Sequence, residues 1–179
     1  MTSSKYEKEL SFKEVKNWRI FEDLVADYFR EVKNDKDLNI DSVEVKPSGI
    51  GGDGGRDILV KFLVYDSIKP FIRTWIIQCK YHNNNIGKSE ISAINIPTLI
   101  HEYEAHGYLI VCKQDFTSTL TDSFENLNKN CKLKYQYEFW SGNDLLNRIR
   151  NKEKLINNYF PKHKAYLDYL NKQTNLTNI

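Results

Sequence analysis

The sequence predicts an α/β fold in which helices flank a mixed central sheet. Three observations predict it. Three strand-like runs come early, "NIDSVEVKP", "RDILVKFLV" and "RTWIIQCK", with connections too short for helices, so an antiparallel meander is expected. After Lys80 the apolar pattern alternates between helical and strand-like segments, which requires a parallel crossover. The 179 residues are enough for one domain with a genuine core.

The first helix is expected from about Phe12 to Val32. Taking Trp18 as reference and advancing about 100° per residue, Phe21, Val25, Tyr28, Phe29 and Val32 fall in one apolar arc. Arg19, Asp23, Asp27 and Arg30 fall on the solvated side. Glu22 does not join them but lies beside Trp18 and Phe29, at the margin of the apolar face. A carboxylate there needs a cation, a metal or hydrogen-bond donors, or else it reaches outward to water. Ile40, Val43 and Val45 then read as a strand stopped by Pro47.

Next comes "GIGGDGGRD", Gly49 to Asp57, whose glycines permit positive φ and close approach of a ligand. It is neither a phosphate loop of the G-x-x-x-x-G-K-[ST] kind nor a dinucleotide fingerprint, because a strand follows it. Beyond the third strand, "GKSEISAINIPTLIHEYEAHG" reads as helical with an interruption near Pro97, and "YLIVCK" as a short buried strand. "TSTLTDSFENLNKN" is a helix, "YQYEFW" a strand, and "SGNDLLNRIRN" a helix capped by Ser141 or Asn143. "PKHKAYLDYLNKQ" is a helix that starts on proline, and "NKQTNLTNI" reads as a loose polar tail.

Composition excludes more than it identifies. With 26 basic and 24 acidic side chains the net charge is +2, too mild to mark a nucleic-acid binder by composition. No run approaches a bilayer span and the N-terminus lacks the apolar core of a signal peptide, so a cytoplasmic protein without membrane association is expected. Cys79, Cys112 and Cys131 are far apart and form no C-x-x-C pair, which argues for buried, reduced thiols rather than a zinc site or disulfide framework. His82, His101, His106 and His163 show no metal-ligand spacing. His82, the Lys162–Lys164 stretch and the N-terminal lysines are expected at the solvated surface.

The strand "RTWIIQCK" carries the chemistry. Side chains alternate, so Trp75, Ile77 and Cys79 share one face while Ile76, Gln78 and Lys80 share the other. If the second and third strands form a hairpin, Asp57 lands opposite Lys80 or within about one pair of it, on the face of Gln78 and Lys80. A carboxylate, an amide oxygen and a lysine then converge beside the glycine loop, and the first helix supplies Glu22 if its apolar side covers that sheet. Hard oxygen donors suit Mg²⁺. An ordinary Asp–Lys pair at a sheet margin, with Gln78 bonded to backbone, accounts for these residues equally well.

These residues resemble the Mrr-like catalytic domain of the PD-(D/E)XK restriction endonuclease superfamily. The likeness lies in Phe21-Glu22 on a helix, the loop closing on Asp57, and the Gln78-Cys79-Lys80 strand end, with "GYLIVCKQDFTSTLTDSF" and "FWSGNDLLNRI" following. It spans about Phe12 to Arg150. It departs where glycine and arginine precede Asp57 in place of proline, and Tyr159 to Ile179 matches nothing in the pattern.

The resemblance implies a restriction-endonuclease-like nuclease domain over 1–160, followed by a C-terminal helix and polar tail over 161–179. It implies Mg²⁺, with Mn²⁺ able to substitute, held by Asp57, the Gln78 side-chain oxygen and the Cys79 backbone carbonyl. Lys80 would orient or deprotonate the attacking water or balance charge on the phosphate. Glu22 would reach a second metal, its waters or Lys80. Asp53, Gly54, Gly55, Tyr81 and His82 would lie near the loop or substrate. The implied partner is DNA, cleaved in prokaryotic host defence by a homo-oligomer, a dimer or higher, or together with a regulatory or recognition partner. The alternatives are a structure-specific nuclease for junctions or ends, and an inactive nucleic-acid-binding domain.

Overall fold

The computed structural model describes residues 5–35, 37–48, 54–65 and 67–177. Strands β1 (Ile40–Pro47), β2 (Ile58–Tyr65), β3 (Pro70–Lys80), β4 (Gly107–Cys112) and β5 (Gln136–Trp140) form one sheet in chain order. The pairs β1–β2 and β2–β3 are antiparallel, and β3–β4 and β4–β5 are parallel. This is the mixed sheet expected from the order of patterns.

Alternation along the strands divides the apolar residues into two cores. Ile58, Val60, Phe62, Ile77, Cys79 and Leu109 pack with α1 (Trp18–Glu31), α4 (Gly142–Ile149) and α5 (Glu153–Tyr159). Leu59, Ile76, Tyr108 and Ile110 pack on the other face with α2 (Ile96–Glu102) and α3 (Ser118–Asn130). Covered on both faces, β4 is buried along its whole length, which is why it reads as a continuous apolar run. Among the described residues no helix is long and apolar enough to cross a membrane.

Two expectations for the first helix need correction. The first helix begins at Trp18, not Phe12, because the Asn17 side chain accepts the Ile20 N–H at 3.0 Å and caps it. Phe12 and Val15 are buried ahead of it in a non-helical segment. Trp18 is 50% exposed and stands off the apolar face, with the Arg19 guanidinium 5.1 Å from its ring. The helical stretch before β4 is interrupted near Pro97, as expected: a 3-10 turn over Lys88–Ile91 ends ahead of α2, in whose first turn Pro97 sits, capped by Asn95, where its missing N–H removes no intrahelical bond.

The C-terminal part also differs. Helix α5 carries only Leu155 and Ile156 as buried residues, too few to display a helical period. Helix α6 (Pro161–Thr177) continues through most of the stretch read as a tail. His163 is only 9% exposed rather than solvated, and its Nδ1 donates to the Glu7 carbonyl at 3.1 Å. The Glu14 carboxylate accepts the N–H groups of Lys162 and His163, at 2.7 and 3.1 Å, where α6 begins. Those two donors have no intrahelical partner, so the carboxylate caps a helix distant in sequence.

Replacing Glu14 by alanine is expected to cost about 1 kcal/mol, the usual worth of a helix cap. Urea denaturation reads the loss, and hydrogen exchange should quicken first at the start of α6. A stability unchanged from the parent would show that the cap does not hold α6 in place.

Candidate active site

Strand β3 outruns β2. The ladder pairs Ile58 with Ile77 and goes no further, so Gln78, Cys79 and Lys80 have strand partners only on the β4 side, at Ile110, Val111 and Cys112. On the open side Asp57 takes the place of a strand. Its backbone N–H donates to the Ile77 carbonyl at 2.9 Å. Its Oδ2 accepts the Cys79 N–H at 2.6 Å and also the Gln78 side-chain amide. The register sets Asp57 level with Gln78, within the range read from the hairpin.

The glycine loop is closed at its base. Ser48 donates its N–H to the Asp57 carbonyl at 2.6 Å and its hydroxyl to the Arg56 carbonyl at 2.7 Å. Gly55 has φ +106°, and a Cβ there would fall 2.5 Å from the Ile94 side chain, so both conformation and space call for glycine. Gly54 also has positive φ, +62°. Asp53, with Gly49 to Gly52, lies outside the described residues.

Tyr108, which sequence reasoning missed, reaches from β4 and donates its hydroxyl to the Gly55 carbonyl at 2.8 Å. Burial, and then Asp57, push its phenol well above the ordinary range. Nothing in "GYLIVC" distinguishes it from a core aromatic, so no local signal marks its task.

Glu22 comes from the α1 side of the sheet and is partly buried. Its carboxyl is pushed up from 4.5 to about 7, first by burial, then by the charges of Asp57 and Asp23, with Arg19 opposing. Glu22 and Asp57 are thus close enough to repel, although one comes from a helix and the other from the loop ahead of β2. The Cys79 thiol is also pushed up, by burial first and then by Asp57 and Glu22, with Lys80 opposing. It is no nucleophile. Lys80 lies two residues beyond Gln78 on the same face and is partly exposed.

Tyr81 donates its hydroxyl to the Val15 carbonyl at 2.6 Å and packs against Phe21, so it serves as a shoulder of the core. His82 is exposed, as expected.

The donor set fits a hard divalent cation. The Gln78 amide nitrogen is spent on Asp57 and, at 3.4 Å, on the Cys79 carbonyl. Its Oε1 is buried without a hydrogen-bond partner among the described residues. A cation bound there would satisfy a buried acceptor left over beside two mutually repelling carboxylates. No cluster of three His, Cys, Asp or Glu occurs among the described residues. The available ligands are instead one carboxylate, an amide oxygen and a peptide carbonyl, with Glu22 adjacent, a set that suits Mg²⁺ or Mn²⁺.

The chain matches the family Mrr_cat, described as a restriction endonuclease, over residues 14–149. Among solved structures it is similar to "MspJI Restriction Endonuclease in Complex with 27-mer Oligonucleotide", with a TM-score of 0.51 and 16% identity, over 82% of this chain and 30% of that one. It also aligns with "DNA modification-dependent restriction endonuclease AspBHI", at a TM-score of 0.48 and 12% identity, over 97% of this chain and 45% of that one. The chain therefore spans less than half the length of either protein, and at these identities the likeness concerns the fold. No curated protein matches the sequence.

The raised carboxyl has a thermodynamic consequence. Below pH 4.5 Glu22 is protonated in both folded and unfolded chains, and it costs nothing. As pH rises toward 7 the unfolded chain releases that proton while the folded chain retains it, so stability falls over this window. In metal-free protein the thermal midpoint of the parent should fall relative to that of Glu22→Gln as pH rises from 4.5 to 7. Parallel curves for the two proteins would remove Glu22 from the strained pair.

Proposed function

We propose a metal-dependent DNA endonuclease, from the premise that this chain belongs to the Mrr_cat family of restriction endonucleases. The observation that carries the proposal is the junction at the end of β3. There the Asp57 carboxylate, the Gln78 amide and the Cys79 peptide meet, with an orphaned buried oxygen and a second carboxylate alongside.

The residues divide the work by their chemistry. Asp57, Gln78 Oε1 and the Cys79 carbonyl would hold Mg²⁺, with Mn²⁺ able to substitute, and Glu22 would reach a second ion, bound waters or Lys80. When bound, the ion supplies positive charge to the phosphate oxygens and lowers the pKa of a coordinated water. Lys80 orients or deprotonates the attacking water, or balances charge on the phosphate in the transition state. The Gln78 amide carries both a donor and an acceptor, so the side chain that donates to Asp57 also has an oxygen to offer a cation. Ser48 holds the backbone of Arg56 and Asp57, Tyr108 holds that of Gly55, and neither touches a reacting atom.

Such a site cuts one strand at a time. A double-strand break therefore calls for two copies of the chain or two successive nicks, and a role in host defence fits the restriction family. The substrate is DNA on the strength of the same membership.

Plasmid incubated with the protein in Mg²⁺ or Mn²⁺ should be nicked or linearised, and not in EDTA. Asp57→Ala and Lys80→Ala should each reduce the rate roughly 10²- to 10³-fold, as for loss of a group that stabilises transition-state charge. Equal loss of plasmid with all three proteins would place the activity elsewhere. Gln78→Glu adds a carboxylate and should lower the Mg²⁺ concentration needed for half-maximal cleavage. An unchanged requirement removes Gln78 from the ligand set.

A further inference from the structure

Strands β3 and β4 run parallel and end together. Lys80 pairs with Cys112, and the Lys113 N–H donates to the Lys80 carbonyl at 3.0 Å. Lys113 therefore stands one strand spacing, about 4.8 Å, from the strand end that carries Gln78 and Lys80. Its ammonium lies 4.4 Å from the centroid of the Tyr81 ring and donates to Asn83 Oδ1 at 2.8 Å. Both partners are neutral. Lys152 and Lys154, by contrast, each close on a carboxylate at 2.6 Å, whereas Lys113 has none within ion-pairing distance among the described residues.

An ammonium has three donors, and Asn83 takes one. The arrangement fixes the side chain while leaving its charge uncompensated. Tyr81 does not need the lysine for its own placement, since it is already anchored on the Val15 carbonyl and against Phe21. Lys113 also lines a hollow of 370 Å³ whose other polar residues are Lys13, Gln114 and Asn143, with no carboxylate among its walls. A fixed cation and two amides, with Lys13 alongside in a loose 3.8 Å ion pair with Glu7, are a donor set for an anion.

We propose that Lys113 seats a backbone phosphate of the substrate strand, close to the one that is cleaved. Lys13, Gln114 and Asn143 complete this phosphate seat, an inference that rests on the nuclease function proposed above. Lys113 is then a substrate-positioning residue that touches no reacting atom. It holds a phosphate on the far side of Lys80 from Asp57 and offsets the repulsion between the nucleic acid and the carboxylates of the metal site.

The test is binding of a fluorescein-labelled DNA duplex to the full chain in EDTA, followed by anisotropy across a salt series. Each neutralised phosphate contributes a slope of about −0.9 in log K against log salt. Lys113→Gln should flatten the slope by about that amount, and Lys113→Arg should restore it. With Mg²⁺, Lys113→Gln should raise KM several-fold and leave kcat within about twofold, since phosphate contacts position substrate without reaching the chemistry. An unchanged slope in Lys113→Gln, with or without a fall in thermal midpoint, assigns the lysine to structure alone and overturns the proposal while the nuclease function stands. Absence of salt-dependent binding by the unaltered chain would overturn both.

Discussion

A carboxylate standing in for a missing strand underlies the site. Where β2 stops, the Cys79 N–H of β3 faces a buried edge with no backbone acceptor, and leaving it unpaired would cost about 1–3 kcal/mol. Asp57 supplies the acceptor because its own N–H is held by the Ile77 carbonyl, which locks its position along the ladder. The same oxygen takes the Gln78 amide, and that hydrogen bond orients the amide and strands its oxygen in a buried position. The loop geometry serves this anchor as well. Ser48 and Tyr108 both bind the short stretch Gly55 to Asp57, from just past β1 and from β4 respectively.

The consequence is electrostatic. Glu22 from the helix over the sheet and Asp57 from its open edge meet at one strand end, and the folded protein tolerates the repulsion by holding Glu22 close to neutrality. Strain of this kind persists where the surrounding packing over-determines it, and it is often part of a mechanism. Under the proposed function a polyanion would meet charge of its own sign here, and Lys80 at the end of β3 with Lys113 just past β4 are the neighbouring cations that would offset it.

Helix α1, which carries Glu22, is itself fastened from the C-terminal side. Lys152 binds Asp35 and Lys154 binds Glu31, both at 2.6 Å, and the Tyr159 hydroxyl donates to Asp27 at 2.7 Å. These contacts lie beyond residue 149, where the family match ends. On its other flank the helix lays Phe29 flat against Trp140, whose ring also receives the Arg148 guanidinium at 4.0 Å. The position of Glu22 over the sheet thus depends on elements that carry no chemistry.

Short-range periodicity made much of this legible. Alternation is strictly local, so the shared face of Gln78 and Lys80, the burial of Cys79 and the level of Asp57 along the hairpin followed from residue order and strand length. Helix ends were less legible, since Trp18 and Phe12 have apolar side chains whose fate depends on the Asn17 cap and on what packs nearby. The task of Tyr108, the burial of His163 and the capping of α6 by Glu14 depend on partners 53, 156 and 148 residues away. No window of sequence contains both halves of those contacts. Local order therefore determines which way a side chain points, and only the folded chain decides what it meets there, because the covering layer comes from a distant part of the chain.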